Sequence, residues 1–155
     1  MELADILEER SILGAAKVSS KRQLLQLMAE KAAEVTNGSA TEIFEILQQR
    51  EQIGSTGLGN GIAIPHGKLE GLAGVKAVFA RLADPIEFES VDDRNVDLVM
   101  MLLAPAGAGA DHLKALARVA RLLRTESIVS DLRATDDDKE IYKILMQPMA
   151  AHFAA

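Results

Sequence analysis

The stretch GLGNGIAIPHGK, residues 57–68, ends a glycine-rich run on one imidazole, His66, held between Pro65 and Gly67. Near neutrality an imidazole is a nucleophile with one free ring nitrogen. Pro65 fixes φ behind it and Gly67 removes side-chain bulk beyond it. Together they would hold the ring accessible at a strand end. Five of the 11 glycines fall between Gly54 and Gly67, so the clustering needs a cause. A Walker loop needs a glycine where Ile62 stands and Ser or Thr where Leu69 stands. A dinucleotide fingerprint needs its third glycine one residue later than Gly61 and a helix after it, which Pro65 opposes. GSTG is not a serine elbow. Two readings remain for the glycines. They build a wide turn into the strand GIAI, or their N–H groups, with the Ser55 and Thr56 hydroxyls, form an anion nest.

A second histidine, His112, follows Asp111 at the start of the helical run DHLKALARVARLLR. Taken alone it reads as a surface residue at a helix start, with Asp111 the N-cap. Arg50 closes the preceding helical run NGSATEIFEILQQR, where a cation suits the C-terminal dipole.

Composition narrows the classes. Zero cysteine excludes disulfides, thiolate zinc sites and thiol catalysis. A net charge of −6 and 3% aromatics disfavour nucleic acid. MELADILEER is too acidic for a signal peptide, and runs such as LVMMLLA are too short to span a bilayer. The expectation is a cytoplasmic protein with no membrane insertion. With 155 residues, one domain over 1–155 is expected. Its core would cover about 3–146, followed by a flexible Ala-rich tail at 147–155.

The elements that must position these residues follow from periodicity. Ser11 to Val18 reads as a first strand. A helix after Ser20 carries Leu24, Leu27, Met28, Ala32 and Val35 on one side, with Gln23 completing a capping box. A second helix, capped by Ser39 with Glu42 at N3, buries Ile43, Phe44, Ile46 and Leu47 and ends near Arg50. Residues 75–82 and 96–103 read as strands, the latter apolar on both faces and therefore central. Turns are expected at Ala83-Asp84-Pro85 and Asp92-Asp93. The helix after His112 is expected to bury Leu113, Leu116, Ala117, Ala120 and Leu123. Two shorter helices follow, at 125–134 and from Asp136 to about Met146. Helices, then strands, then helices predict an α/β (α+β-like) mixed sheet with helices packed on it, neither a Rossmann fold nor a TIM barrel.

REQIGSTGLGNGIAIPHGK, residues 50–68, resembles the phosphorylation motif of enzyme IIA proteins of the bacterial phosphoenolpyruvate phosphotransferase system. The similarity is to the mannitol/fructose type and, within it, the nitrogen-regulatory branch. It continues through AVFARLADPIEFESVDDRNVDLVMMLLAP and HLKALARVARLLR and covers roughly residues 3–146. The resemblance implies the mannitol-type IIA fold, with a mixed sheet of roughly five strands. It implies that His66 accepts a phosphoryl group on Nε2 from an HPr-type carrier. It implies that His112 stabilises that group and that Arg50 neutralises its charge. Ser55, Thr56 and Asn60 become candidates for loop ordering or phosphate contact, and Lys68 for a rim charge. No cofactor is implied. The partners are the carrier and regulated proteins the sequence does not name, and the site should be shallow and ringed by apolar residues. The alternatives are a sugar-specific IIA passing phosphate to a fructose or mannitol IIB, a metal hydrolase using His66, His112 and Asp111, and a small-ligand sensor. The metal reading lacks an H-x-x-x-H pair.

Overall fold

The computed structural model of the chain describes residues 2–147. The predicted tail, beyond Gln147, lies outside the described residues, as does His152. Two short 3-10 turns, Leu3–Asp5 and Glu9–Ser11, lead into β1 (Ile12–Ala16). Two helices follow, α1 (Lys21–Thr36) and α2 (Ala40–Ile53). Then come β2 (Gly57–Gly59), β3 (Ile62–Ala63), β4 (His66–Leu69), β5 (Lys76–Ile86) and β6 (Val96–Pro105). The chain continues with α3 (Gly109–Leu122), α4 (Glu126–Arg133) and α5 (Asp138–Leu145).

The six strands form one mixed sheet in the order β1-β5-β6-β3-β2, with β4 also paired to β6. On one side β6 runs antiparallel to β5; on the other it is parallel first to β3 and then to β4. Its apolar run is explained by burial on both faces. Leu98, Met100, Leu102 and Ala104 enter one core with the carboxy-terminal helices, while Val99, Met101 and Leu103 enter the other with α1 and α2. The period-2 alternation of a strand makes this division. It also sorts the segment around His66. Ile62 and Ile64 face the α3 side, and Ala63 and Leu69 face the α2 side.

Both helix starts predicted from sequence form. Ser20 Oγ accepts from the Gln23 N–H at 3.1 Å and Ser39 Oγ from the Glu42 N–H at 3.2 Å. The capping box is looser than expected, because Gln23 Oε1 reaches back to the N–H of Ser19, not of Ser20. Asn37, at φ 58°, ends α1 in the left-handed region that asparagine tolerates. The second helix runs one turn past Arg50, to Ile53.

Two other expectations change. No turn forms at Ala83-Asp84-Pro85, because β5 continues through them to Ile86. Between Arg81 and Ile86, five steps of β5 oppose two steps of β6, from Leu98 to Val96, so the strand bulges. The pairing of β1 with β5 reaches only Leu82, which leaves the Pro85 position without a ladder bond to lose on that side. The buried side of α3 is also rotated. His112, Ala115, Val119 and Leu122 point inward, while Leu113 is 69% exposed and Ala117 is exposed. Leu116 and Ala120 are half-buried, and Leu123, just past the helix, is buried as expected. The sequence reading kept the histidine out of the stripe, yet it occupies a core-facing position at the 3-4-3 spacing of the true stripe.

Gly67 is the point where α2 meets β4. A Cβ there would stand 2.3 Å from the Ile46 side chain. Replacing Gly67 by Ala must push Ile46 aside. The expected cost is about 1–3 kcal/mol of stability, measured as a lower urea midpoint with an unchanged m-value.

Candidate functional site

The glycine run is a β-hairpin. β2 pairs antiparallel with β3, and the two-residue turn is Asn60-Gly61 at φ 57° and 82°. Two positive φ values in succession are the type I′ signature, for which Asn-Gly is favoured. Three of the loop amides are engaged by neighbouring side chains. Thr56 N–H donates to Glu51 Oε1 at 3.0 Å, Gly57 N–H to Ser55 Oγ at 3.1 Å, and Asn60 N–H to Asp92 Oδ2 at 2.9 Å. The anion-nest reading therefore gives way to a hairpin that carries the chain to Pro65.

Of the three loop candidates, Ser55 Oγ donates to the Phe88 carbonyl at 2.7 Å and Thr56 Oγ1 donates to Glu51 Oε2. Asn60 sits at the hairpin tip, where its carbonyl accepts from Arg133. All three order the loop, each against a different neighbour.

His66 begins β4 opposite Leu102 of β6. Its Nδ1 lies 2.9 Å from the carbonyl oxygen of Ile64. A carbonyl only accepts, so Nδ1 carries the proton and donates, and the free lone pair is left on Nε2. Sequence alone left the choice of nitrogen open. Ile64 is itself held, since its N–H donates to the Thr56 carbonyl at 3.1 Å.

Behind Thr56 stands Glu51, buried and unrecognised in the sequence. It takes the Thr56 N–H and hydroxyl and pairs with Lys21 Nζ at 3.0 Å. Lys21 also lies 4.5 Å over the Phe88 ring. The one signal available was the acidic residue next to Arg50 in the last turn of a helix, where the dipole disfavours a carboxylate.

His112 enters from α3. The two imidazoles meet edge to face, 5.4 Å between centroids at 74°. The helix opens at Gly109 with Ala108 as N-cap, so Asp111 lies inside the first turn and does not cap it. His112 is buried and its Nε2 has no hydrogen-bond partner. Burial, with smaller contributions from the charges of His66 and Lys68, lowers its pKa below the ordinary 6.5. At pH 7 it is therefore neutral.

Arg50 belongs to α2, on the opposite face of the sheet. It stands one turn beyond Ile46, the residue that packs on Gly67. Its Nη1 donates to the Gly54 carbonyl at 2.8 Å, its only hydrogen bond among the described residues. No hydrogen bond joins it to either imidazole among the described residues. Ile53, 84% exposed, follows Arg50 on α2, and Leu113 adjoins His112, so apolar side chains stand beside two of the three candidate residues.

The profile of the family described as "Phosphoenolpyruvate-dependent sugar phosphotransferase system, EIIA 2" matches residues 5–147. The chain belongs to the EIIA type 2 family. A nitrogen regulatory protein of Bradyrhizobium diazoefficiens is 54% identical over 150 residues, covering 97% of this chain and 98% of that protein. The nitrogen regulatory protein of Escherichia coli K12 is 38% identical, covering 94% and 90%. A crystal structure of the nitrogen regulatory protein IIA-Ntr from Neisseria meningitidis superposes with a TM-score of 0.87 at 33% identity, covering 92% and 98%. The IIA mannitol structure of E. coli, at 21% identity and TM-score 0.75, shares the fold. A fructose-specific EIIABC component of Bacillus subtilis is 31% identical over 95% of this chain but only 23% of its own length. Within the EIIA type 2 domain, no helix of the described residues is long and apolar enough to cross a membrane.

The depressed pKa of His112 gives a pH signature. Above 6.5 the residue is neutral in both folded and unfolded chains, and its contribution is complete. As pH falls below 6.5, the unfolded chain takes the proton first and stability declines until the folded-state value is passed. The expected slope is at most about 1.4 kcal/mol per pH unit from this group. Subtracting the denaturation profile of His112→Gln from that of the wild type should isolate it.

Proposed function

We propose that the protein is a phosphocarrier and regulator of the nitrogen-related phosphotransferase system, reversibly phosphorylated on His66 Nε2. The observation that carries this reading is the Nδ1–H bond to the Ile64 carbonyl, which leaves the nucleophilic nitrogen free beside His112. The donor is the phosphohistidine of an HPr-type carrier.

The transfer balances without a metal or a base. The Nε2 lone pair attacks phosphorus as the donor N–P bond breaks. Its electron pair stays on the donor ring, which leaves as a neutral imidazole when its other nitrogen was protonated beforehand. The His66 ring becomes a phosphoimidazolium, and Nδ1 keeps its proton on the Ile64 carbonyl. That carbonyl stabilises the positive ring, and reversal hands the phosphate on.

His112, neutral and unpartnered at Nε2, can take the proton form that donates to a phosphoryl oxygen. Arg50 supplies charge from the β4 edge. Exposed Leu113 and Ile53 give the carrier apolar surface to cover.

A sugar-specific IIA would use the same chemistry on a fructose or mannitol IIB. The 54% identity to the Bradyrhizobium nitrogen regulatory protein, against 31% to the fructose component, favours regulation. The metal-hydrolase reading has little support. It needs a third donor beside the two histidines, and among the described residues no group of three or more His, Cys, Asp or Glu is placed to hold an ion.

Incubation with phosphoenolpyruvate, enzyme I and an HPr-type carrier should add one acid-labile, alkali-stable phosphate, read by intact mass. His66→Ala should abolish it. His112→Ala should still accept phosphate but return it to the carrier at least tenfold more slowly. Labelling that persists in His66→Ala would refute the site, and efficient transfer to a fructose IIB would replace regulation with sugar transfer.

A further inference from the structure

A second concave surface lies at the other end of the sheet. His66 pairs with Leu102, while the hairpin pairs at Ile62 with Leu98. The four-residue offset along β6 is about 13 Å. Between the hairpin tip and α4 runs a groove of about 510 Å³, within the range of small-molecule sites, about 300–1,000 Å³.

Its charge is unlike that of the chain. Arg94, Arg124 and Arg133 line it against one carboxylate, Glu126, in a protein of net charge −6. The three arginines are held differently. Arg133 is fixed: Nε and Nη2 clasp Asp97 at 2.9 and 2.8 Å, and Nη2 also donates to the Asn60 carbonyl at 2.7 Å. Gly61 makes room for it, since a Cβ there would meet Nη2 at 2.5 Å. Asp97 thus neutralises Arg133, which serves as a rigid wall.

The other two guanidinium groups are available. The side chain of Arg94 is 71% exposed, and its one ion pair, Nε to Asp92 Oδ2, is long at 4.0 Å. The exposed Arg124 side chain has no ion pair or hydrogen bond among the described residues. Arg124 also precedes α4, whose N-cap Thr125 does not cap it with its side chain and instead donates to the Arg121 carbonyl. Apolar side chains of Leu58, Ile62, Leu123 and Val129 also line it. Two exposed planar cations, Arg124 without a partner among the described residues and Arg94 with one long ion pair, over an apolar floor suit bidentate recognition of phosphate or carboxylate on an organic body.

We propose that this groove is a second binding site, for a small organic anion carrying at least two phosphate or carboxylate groups. It is independent of the His66 chemistry and would let such a metabolite report to the protein in either phosphorylation state. Pyrophosphate and citrate serve as probes in an amide NMR titration of the full chain at physiological salt. Saturable shifts at residues 58–62 and 124–133 are expected with at least one probe. They should persist in His66→Ala and weaken at least tenfold in Arg94→Glu and in Arg124→Glu, while both arginine variants still accept phosphate from the carrier. A response to pyrophosphate alone assigns the site to phosphate compounds, and a response to citrate alone to polycarboxylates. No saturable shift, shifts confined to the His66–His112 region, or undiminished binding in both arginine variants overturns the proposal.

Discussion

One hydrogen bond governs the candidate site: the ring N–H of His66 on the carbonyl of Ile64. It sets the tautomer, fixes the ring plane and leaves a single nucleophilic nitrogen. A histidine two residues along an ordinary strand would be free to turn. Here Pro65 stands between donor and acceptor and restricts the backbone that joins them. The acceptor is held in turn through Thr56 and the buried Glu51–Lys21 pair. The ring orientation thus traces back to the first turn of α1 and the last turn of α2. A buried carboxylate stripped of one partner is costly, so the same contacts that fix the loop also keep Glu51 from being left alone.

The sheet explains why the site has two sides. Alternation along β3 and β4 sends Ile64 and His66 toward α3 and Gly67 toward α2. The histidine partner therefore comes from α3 and the arginine from α2, on opposite faces. The edge of β4 away from β6 carries no further strand among the described residues. His112 lies in the buried stripe of its helix, with its Nε2 unpartnered. Burial there disfavours its protonated form and lowers its pKa.

Much of this was legible in the sequence. Ser20 and Ser39 announce their helices because capping is local chemistry, and residues 96–103 announce a central strand because burial on both faces removes polar residues. The order of elements was enough for a mixed sheet with helices on it. Other features depend on contacts distant in sequence. Pro85 reads as a turn until one sees that β1 has already ended beside β5. Leu113 reads as core until His112 is found occupying the inward position. Glu51 stood out only as a carboxylate in the last turn of a helix, and its role stayed hidden because its partners lie 5 and 30 residues away. The glycine cluster admitted a turn or a nest, and Asn60-Gly61 was the hairpin signal that could have decided between them.

The assignment of the nucleophilic nitrogen is tested most directly by long-range proton–nitrogen NMR of the protein labelled with nitrogen-15 in histidine, before and after phosphorylation by the carrier. The account predicts that unmodified His66 at pH 8 shows the Nδ1–H tautomer, and that phosphorylation then moves the Nε2 resonance with the phosphorus coupling on that nitrogen. An Nε2–H tautomer in the free protein, or phosphorus coupled to Nδ1, would contradict it.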